Sequence, residues 1–338
     1  MTRRTLEVRR EALRMKVPFR ISGYVFERWD VVVAVIREGG CEGRGEASGV
    51  YYLQDGQDEM VAAVESVREA IEAGAIRTEL QRLLPPGGAR NALDCALWEL
   101  EAALTGQAAW RIAGIAPPSP LVTTFTLGAD HPAIVEAGAR DYTQARAIKL
   151  KLTGAFDEDS ARVAAVRRAR PDVWLGVDAN QGYDRAGLDA LIAMLVEHRV
   201  SLLEQPLPRG AEADLDGVRS PIPIAADESA LSLAELPSLP GRFDVVNIKL
   251  DKCGGLTEAL AMAGVARRLG LKVMVGNMAG SSLAMAPSFI LAQLCDFVDL
   301  DGPTFLAEDR DPAVSYRADG TIWCGDEIWG GGGARLAA

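Results

Sequence analysis

From Leu121 to Asp301 the chain repeats one pattern eight times, a short run rich in Leu, Val, Ile or Ala followed by a stretch with helical or turn character. The runs are Leu121–Leu127, Ala147–Leu152, Val173–Asp178, Ser201–Glu204, Ile222–Asp227, Asp244–Leu250, Leu271–Gly276 and Phe297–Asp301. Strands that are apolar almost throughout are buried on both faces, and strands alternating with helices build βαβ units with a covered parallel sheet. Eight in succession are expected to close into a barrel. The spacing supports a structural repeat: Lys151 to Asp178 is 27 residues, and the steps onward to Glu204, Asp227, Lys249, Gly276 and Asp301 are 26, 23, 22, 27 and 25. A polar residue stands at or near the C-terminal end of most of these runs, which is the face where barrel enzymes place their chemistry.

The first part reads differently, as strands followed by helices. Val31–Arg37, the turn Gly39-Gly40 and Gly43–Ala47 predict a hairpin, and Asp58–Ala73 and Ala89–Leu104 carry helical spacing. Gly43, Gly45 and Gly49 lack the G-x-G-x-x-G order and follow a hairpin turn, so they are not read as a phosphate loop. The break falls at Ala116-Pro117-Pro118-Ser119-Pro120. Beyond the eighth run, Val314–Cys324 predicts a short hairpin, Gly330–Gly333 a loose end, and the tail is expected to return to the first domain.

Composition excludes several function classes. Asp plus Glu outnumber Lys plus Arg by 47 to 36, a net charge of −11, so nucleic acid and anionic membranes would be repelled. The only histidines are His131 and His198, which rules out a His-rich metal site and leaves few options for a Ser-His or Cys-His nucleophile. Five dispersed cysteines, the absence of an apolar leader at the N-terminus and the lack of an apolar stretch of about 18 residues predict a soluble, cytoplasmic protein with reduced thiols.

Charges inside barrel-type runs demand an explanation, because an unpaired buried charge is costly. In Ala147–Leu152, alternation sends Lys149 and Lys151 to one face and Ile148, Leu150 and Leu152 to the other. A half-exposed edge strand would do the same; in a closed barrel the apolar face meets the helices and the lysines point inward. Asp178, Glu204 and Asp227 end the next three runs. Each alone could cap a helix. Together they would repel unless a cation sat among them, and oxygen donors without Cys or His select a hard ion such as Mg²⁺. Lys249 belongs to the sixth run, while Lys252 is placed in the loop beside Gly254-Gly255. Lysines approaching a cation from opposite sides suit removal of a proton α to a carboxylate, with one lysine taking the proton and the other returning it to the opposite face. One of them must be partly neutral near pH 7, which a nearby cation promotes.

These motifs resemble the enolase superfamily, specifically the dipeptide epimerases of its muconate-lactonizing subgroup, typified by those acting on L-Ala-D/L-Glu. The resemblance covers nearly the whole chain, including Ala89–Leu100, the Lys-x-Lys run, Asp227-Glu228-Ser229 and Asn247–Gly255. It implies a modified (β/α)7β TIM-type barrel over 117–312, an α+β capping domain over 1–116, and a C-terminal segment, 313–338, packing back on that domain. It also implies one Mg²⁺ on Asp178, Glu204 and Asp227, proton transfer by Lys151 and Lys249, and a homo-oligomer. Lys149 would contact the substrate carboxylate, Asp299 and Asp301 the dipeptide's ammonium, and Thr124 the substrate. Absence of histidine from the strand ends separates the chain from the mandelate racemase branch. Side-chain selection is expected from capping loops near Pro18–Arg28 and Ser48–Gln57. Gly23 stands where the Ala-Glu enzymes hold an arginine, with Arg20 and Arg28 nearby and Tyr51 and Tyr52 as a possible aromatic wall.

The activity implied is epimerization of a dipeptide at the C-terminal residue. Alternatives are a racemase of N-acetyl- or N-succinyl-amino acids, whose uncharged nitrogen would leave Asp299 and Asp301 without a cation, a cycloisomerase or dehydratase needing one lysine, and a non-enzymatic binding protein.

Overall fold

A computed structural model describes residues 4–21 and 24–332. Strands β1 (Thr5–Ile21), β2 (Tyr24–Glu38) and β3 (Cys41–Ala47) form an antiparallel sheet with β2 in the centre. The turn between β2 and β3 is Gly39-Gly40, both at positive φ, which is the conformation a tight hairpin needs. Central β2 explains its own sequence. Val32, Ala34 and Ile36 face a cluster with helices Gln57–Ser66 and Gly88–Thr105, while Val33 and Val35 join the core of the barrel, so Val31–Ile36 is buried on both faces.

Gly43 and Gly45 let the Gly88–Thr105 helix lie directly on β3. A Cβ at Gly43 would stand 2.1 Å from Ala96 O, and one at Gly45 2.0 Å from Ala92 O. These glycines therefore serve close packing of helix on sheet.

The second sheet holds eight parallel strands: β5 (Thr124–Leu127), β6 (Ala147–Lys151), β7 (Trp174–Asp178), β8 (Leu202–Glu204), β9 (Ile224–Ala226), β10 (Val245–Ile248), β11 (Lys272–Val275) and β12 (Phe297–Val298). Each pairs with its neighbour in sequence, from β5 to β12. Side chains of β12 and its continuation reach β5, where Thr126 N donates to Asp301 Oδ2 at 2.6 Å, so the sheet curls into a nearly closed barrel. Helices cover the outside, except that the two shortest repeats, ending at Asp227 and Lys249, carry only 3₁₀ turns at Glu212–Leu215 and Leu233–Ser238.

Two-residue alternation builds the interior in layers. Trp174, Leu202, Ala225, Val245, Met274 and Phe297 form one apolar cluster at the N-terminal ends of the strands. Two and four residues further along the same inward faces stand Lys149, Lys151, Asp178, Glu204, Asp227, Asn247, Lys249, Asp299 and Asp301, all but Lys151 in the buried class. Outward residues such as Ile148, Leu150, Val177, Leu203 and Ile248 join the main core under the helices.

Three details differ from the sequence reading. The run Leu121–Leu127 divides at Thr123: β4 (Leu121–Val122) leaves the barrel and pairs with β14 (Thr321–Trp323), which also pairs with β13 (Ser315–Tyr316). The Gly-rich end is anchored as far as Gly330, whose N–H donates to Glu99 Oε1 at 3.3 Å and whose carbonyl accepts from Ala109 at 2.7 Å; Gly333 lies outside the described residues. Around it Trp329 Nε1 donates to Arg44 O at 2.8 Å, so the tail touches the first domain. Third, the described residues of the segment around Pro18–Arg28 are strand, up to Ile21 in β1 and from Tyr24 in β2. Pairing of β1 with β2 runs from Thr5↔Arg37 to Arg14↔Arg28, shifts register, and resumes at Phe19↔Phe26. The strand residues leading to and from the turn lie over the barrel mouth, where Met15 bridges to Leu306 and Arg20 O accepts a hydrogen bond from Ala129 N–H.

Replacing Gly45 with Ala forces a methyl into the helix backbone, and overpacking of this kind costs about 1–3 kcal/mol. Gly45→Ala is expected to lower the thermal midpoint measurably by circular dichroism; an unchanged midpoint would show that helix and sheet can separate freely.

Candidate active site

Several strand ends send charged groups into a cavity at the C-terminal face, two of them from β6 and two from the end of β12. Its volume, open mouth included, is about 630 Å³. Lys149, Lys151, Asp227, Glu228, Lys249, Asp299 and Asp301 line it.

The carboxylate cluster lies on consecutive strands. Asp178 and Glu204 are direct neighbours across β7 and β8, Asp227 follows β9, and one oxygen from each lies within 4.8 Å of the others. Ammonium groups surround them. Lys151 Nζ is 2.5 Å from Asp178 Oδ2, and Lys149 Nζ is 2.8 Å from Glu204 Oε2, 2.9 Å from Asp299 Oδ2 and 3.4 Å from Asp178 Oδ2. Lys249 Nζ is 2.6 Å from Asp227 Oδ2.

Burial and charge set the protonation. Burial alone would raise Asp178, but Lys151 and Lys149 outweigh it and hold the carboxyl at about 2. Glu204 is pushed up to about 8 by burial and the adjacent Asp178 charge. Burial would lower Lys149 and Lys249; the carboxylates of Asp299 and Glu204 for the first, and Asp227 for the second, reverse that and keep both protonated. Lys249 is thus held as the acid form, whereas the sequence reading asked the cavity to make a lysine partly neutral.

Six carboxyl groups (Asp178, Glu204, Asp227, Glu228, Asp299, Asp301) face four ammonium groups (Lys149, Lys151, Lys249, Lys252), so full ionisation leaves two uncompensated negative charges. One divalent cation balances them. Three converging carboxylates without Cys or His fit Mg²⁺ by donor chemistry, and Glu204 Oε2, 2.8 Å from the Lys149 ammonium, has no hydrogen-bond partner among the described residues.

Several contributors went unassigned in the sequence. Lys252, placed there in a loop, belongs to a short helix, Leu250–Cys253, and is buried against Asp227, donating to Oδ1 and the carbonyl, both at 2.5 Å. Its spacing from Lys249 showed no sheet alternation, so no local signal marked it. Asn247 shares the inward face of Lys249 and donates to Glu204 Oε1 at 2.8 Å; alternation alone would have found it. Glu228 has a buried Oε2 without a hydrogen-bond partner and is pushed up to about 7, first by burial and then by Asp227. Gln205 holds the Asp227 backbone, accepting its N–H at 3.0 Å.

Of the expected substrate contacts, Lys149, Asp299 and Asp301 line the cavity and Thr124 does not. Thr124 pairs with Ala147, one inward layer below Lys149, and donates to Asp299 Oδ1 at 2.5 Å; Thr126, beside Lys149, takes the cavity position. Asp299 is held by Lys149 and Thr124, and its carboxyl stays low against burial. Asp301 has no ammonium partner among the described residues, and burial and then the Asp299 charge push it up to about 7.

The first domain fastens the strand end carrying Lys249. Arg90 donates to Cys253 O at 2.6 Å and Gly254 O at 3.2 Å, and Asn91 donates to Asp251 Oδ1 at 3.2 Å. That oxygen also accepts Ser48 N–H at 2.9 Å, tying the Tyr51-Tyr52 turn to the same segment. His131 and His198 cap helices and line no part of the cavity.

Residues 3–114 match the mandelate racemase/muconate lactonizing enzyme N-terminal domain, and residues 133–310 the enolase C-terminal domain-like family. L-Ala-D/L-Glu epimerase of Escherichia coli K12 is 40% identical over 93% of this chain and 98% of its own length. N-acetyl-D-glutamate racemase of a Pseudoalteromonas species is 40% identical over 75% of this chain and 80% of its own. Among solved structures, an enolase family member from Agrobacterium tumefaciens with homology to dipeptide epimerases, bound to sodium and L-Ala-L-Glu, superposes with a TM-score of 0.93 at 40% identity, covering 97% of this chain and 100% of that one. The dipeptide epimerase of Methylococcus capsulatus with Mg and L-Arg-D-Lys gives 0.87 at 31% identity, covering 95% and 97%. On these matches over almost its full length, the chain belongs to the mandelate racemase/muconate lactonizing enzyme family of the enolase superfamily.

Proposed function

We propose that the protein is a Mg²⁺-dependent dipeptide epimerase that inverts the α-carbon of the substrate's C-terminal residue. The observation that carries this reading is the position of the two lysines. Lys151 ends β6 and Lys249 follows β10, four strands apart in an eight-stranded barrel, and both line one cavity with the carboxylate cluster on the strands between them. A substrate α-carbon held there has one amine on each face. The lysine in its neutral form takes the α-proton, the carbon becomes planar as charge spreads into the carboxylate, and the opposite ammonium delivers a proton to the other face. Mg²⁺ on Asp178, Glu204 and Asp227 would supply positive charge to the carboxylate as it becomes an enediolate and would offset the negative charge that now keeps Lys249 protonated. Lys149, fixed between Glu204 and Asp299, serves as a permanent cation for the same carboxylate.

The Asp301 carboxyl, without an ammonium partner among the described residues, supports a free amino group on the substrate. It is the cavity carboxyl that an incoming ammonium would neutralise, whereas an N-acyl nitrogen would leave it buried without a counter-charge. The second reading, racemization of an N-acylated amino acid, is favoured by the 40% identity to the N-acetyl-D-glutamate racemase. Incubation in D₂O with Mg²⁺ separates the two: α-deuterium uptake is expected with L-Ala-X dipeptides, and uptake confined to N-acetyl or N-succinyl amino acids would remove the dipeptide reading.

Lys151→Ala and Lys249→Ala should each lose epimerization by about 10³-fold or more, within the usual contribution of a general acid–base group. Each should retain α-proton exchange with substrate of one configuration only, and the two variants should retain opposite ones. Full two-way turnover by either variant in an NMR exchange assay would refute two-lysine chemistry. Glu204→Gln is expected to weaken Mg²⁺ binding, read by calorimetry, by at least the ~10–100-fold that loss of a ligand's supporting contact costs, and chelator treatment should abolish turnover until Mg²⁺ is restored.

A further inference from the structure

The cavity wall contributed by the capping sheet and its turn is apolar and aromatic. Met15, Phe19 and Trp29 come from the β1–β2 hairpin, Tyr51 and Tyr52 from the Ser48–Gln54 turn, and Phe305 closes the side beyond β12. The rings brace one another: Phe19 and Phe305 have centroids 4.7 Å apart, and Phe26 packs behind the wall at 4.2 Å from Trp29 and 5.3 Å from Tyr51.

Among the described residues, this side presents no cation to the cavity. Both arginines near the hairpin tip point elsewhere, Arg20 to Asp130 at 3.5 Å and Arg28 to Asp30 at 3.1 Å, and Lys16 donates to Thr304 O at 2.8 Å. Gly23, noted in the sequence where an arginine was expected, lies outside the described residues together with Ser22, and neither side chain carries charge. The lysines that do face the cavity, Lys149, Lys151 and Lys249, are each within 2.9 Å of a carboxylate oxygen.

The charge balance points the same way. With every group ionised, six carboxyls, four ammoniums and one divalent cation sum to zero, a neutral base lysine lowers that sum by one, and a zwitterionic dipeptide changes neither figure. A glutamate side chain would add one negative charge against an aromatic wall with no partner for it, at the cost of its hydration.

We infer that the site selects a dipeptide whose C-terminal residue carries a large uncharged apolar side chain, aliphatic or aromatic, in contrast to the glutamate of its 40%-identical epimerase relative. This rests on the dipeptide-epimerase reading and names the substrate class within it. Met15, Phe19, Trp29, Tyr51 and Phe305 are the specificity-determining surface.

The test uses the full chain with Mg²⁺ in D₂O and follows α-deuterium uptake by mass spectrometry on L-Ala-L-Leu, L-Ala-L-Phe, L-Ala-L-Glu and L-Ala-L-Lys. The expected result is a kcat/KM for the Leu or Phe dipeptide at least about tenfold above those for Glu and Lys, the scale on which an apolar pocket discriminates. A ratio below tenfold, or Glu or Lys as the best substrate, overturns the inference and leaves the epimerase reading standing. No uptake with any dipeptide overturns the epimerase reading and the inference with it. Phe19→Arg supplies a second measure that partial unfolding does not move, because only a ratio is read. It should raise the Glu-to-Leu ratio of kcat/KM about tenfold or more, and an unchanged ratio would show that this wall does not meet the side chain.

Discussion

Everything at the barrel mouth follows from an excess of buried negative charge. Six carboxyl groups converge where four ammonium groups can reach them, and water is largely excluded. Like charges in such a place cannot all ionise without help, so some carboxyls shift upward, Lys149 and Lys249 are held protonated, and a divalent cation becomes the natural completion of the set. The opposed shifts of Asp178, held at about 2, and Glu204, pushed to about 8, are two sides of that constraint. Asp178 has two ammonium neighbours, and Glu204 stands beside the resulting charge.

The rest of the fold is arranged to make such a mouth possible. The apolar layer from Trp174 to Phe297 plugs the barrel below the charges, so field lines are not dissipated into solvent from beneath. Above, the first domain performs two tasks. Its Gly88–Thr105 helix, lying on Gly43 and Gly45, carries Arg90 and Asn91 to the segment that follows Lys249, and its hairpin tip and Tyr51-Tyr52 turn close the side of the cavity. Asp251 joins these tasks by accepting from Ser48, Gly49 and Asn91. Buried Glu46 pairs with half-buried Arg310 at 2.6 Å and fastens β3 to the loop after the last barrel strand.

Local rules made much of this legible in the sequence. Alternation is a property of the strand itself, so the inward direction of Lys149 and Lys151 and the positions of Asp178, Glu204 and Asp227 at successive strand ends could be read before any contact was known. The same rule extended to Asn247 would have revealed it. Lys252 was beyond that rule, because its place depends on one turn of helix after Lys249 and on Asp227 arriving from another strand. Thr124 and Thr126 share a face, and which of them reaches the cavity depends on strand tilt in the closed barrel. The hairpin tip read as a loop because the register shift between Arg14 and Phe19 interrupts a pattern that the pairing then restores.

The barrel, the branch of chemistry and the identity of the charged groups are legible from the residues alone, because those depend on periodicity and on which residue types are present or missing, above all the near absence of histidine. Who partners whom was settled by the closed fold. It gave Asp299 to Lys149, left Asp301 without an ammonium among the described residues, turned Arg20 and Arg28 away to Asp130 and Asp30, and set aromatic rings along one wall of the cavity. Pairing energies fall off over a few ångströms, and distances between residues 150 or more positions apart exist only once the chain has closed on itself.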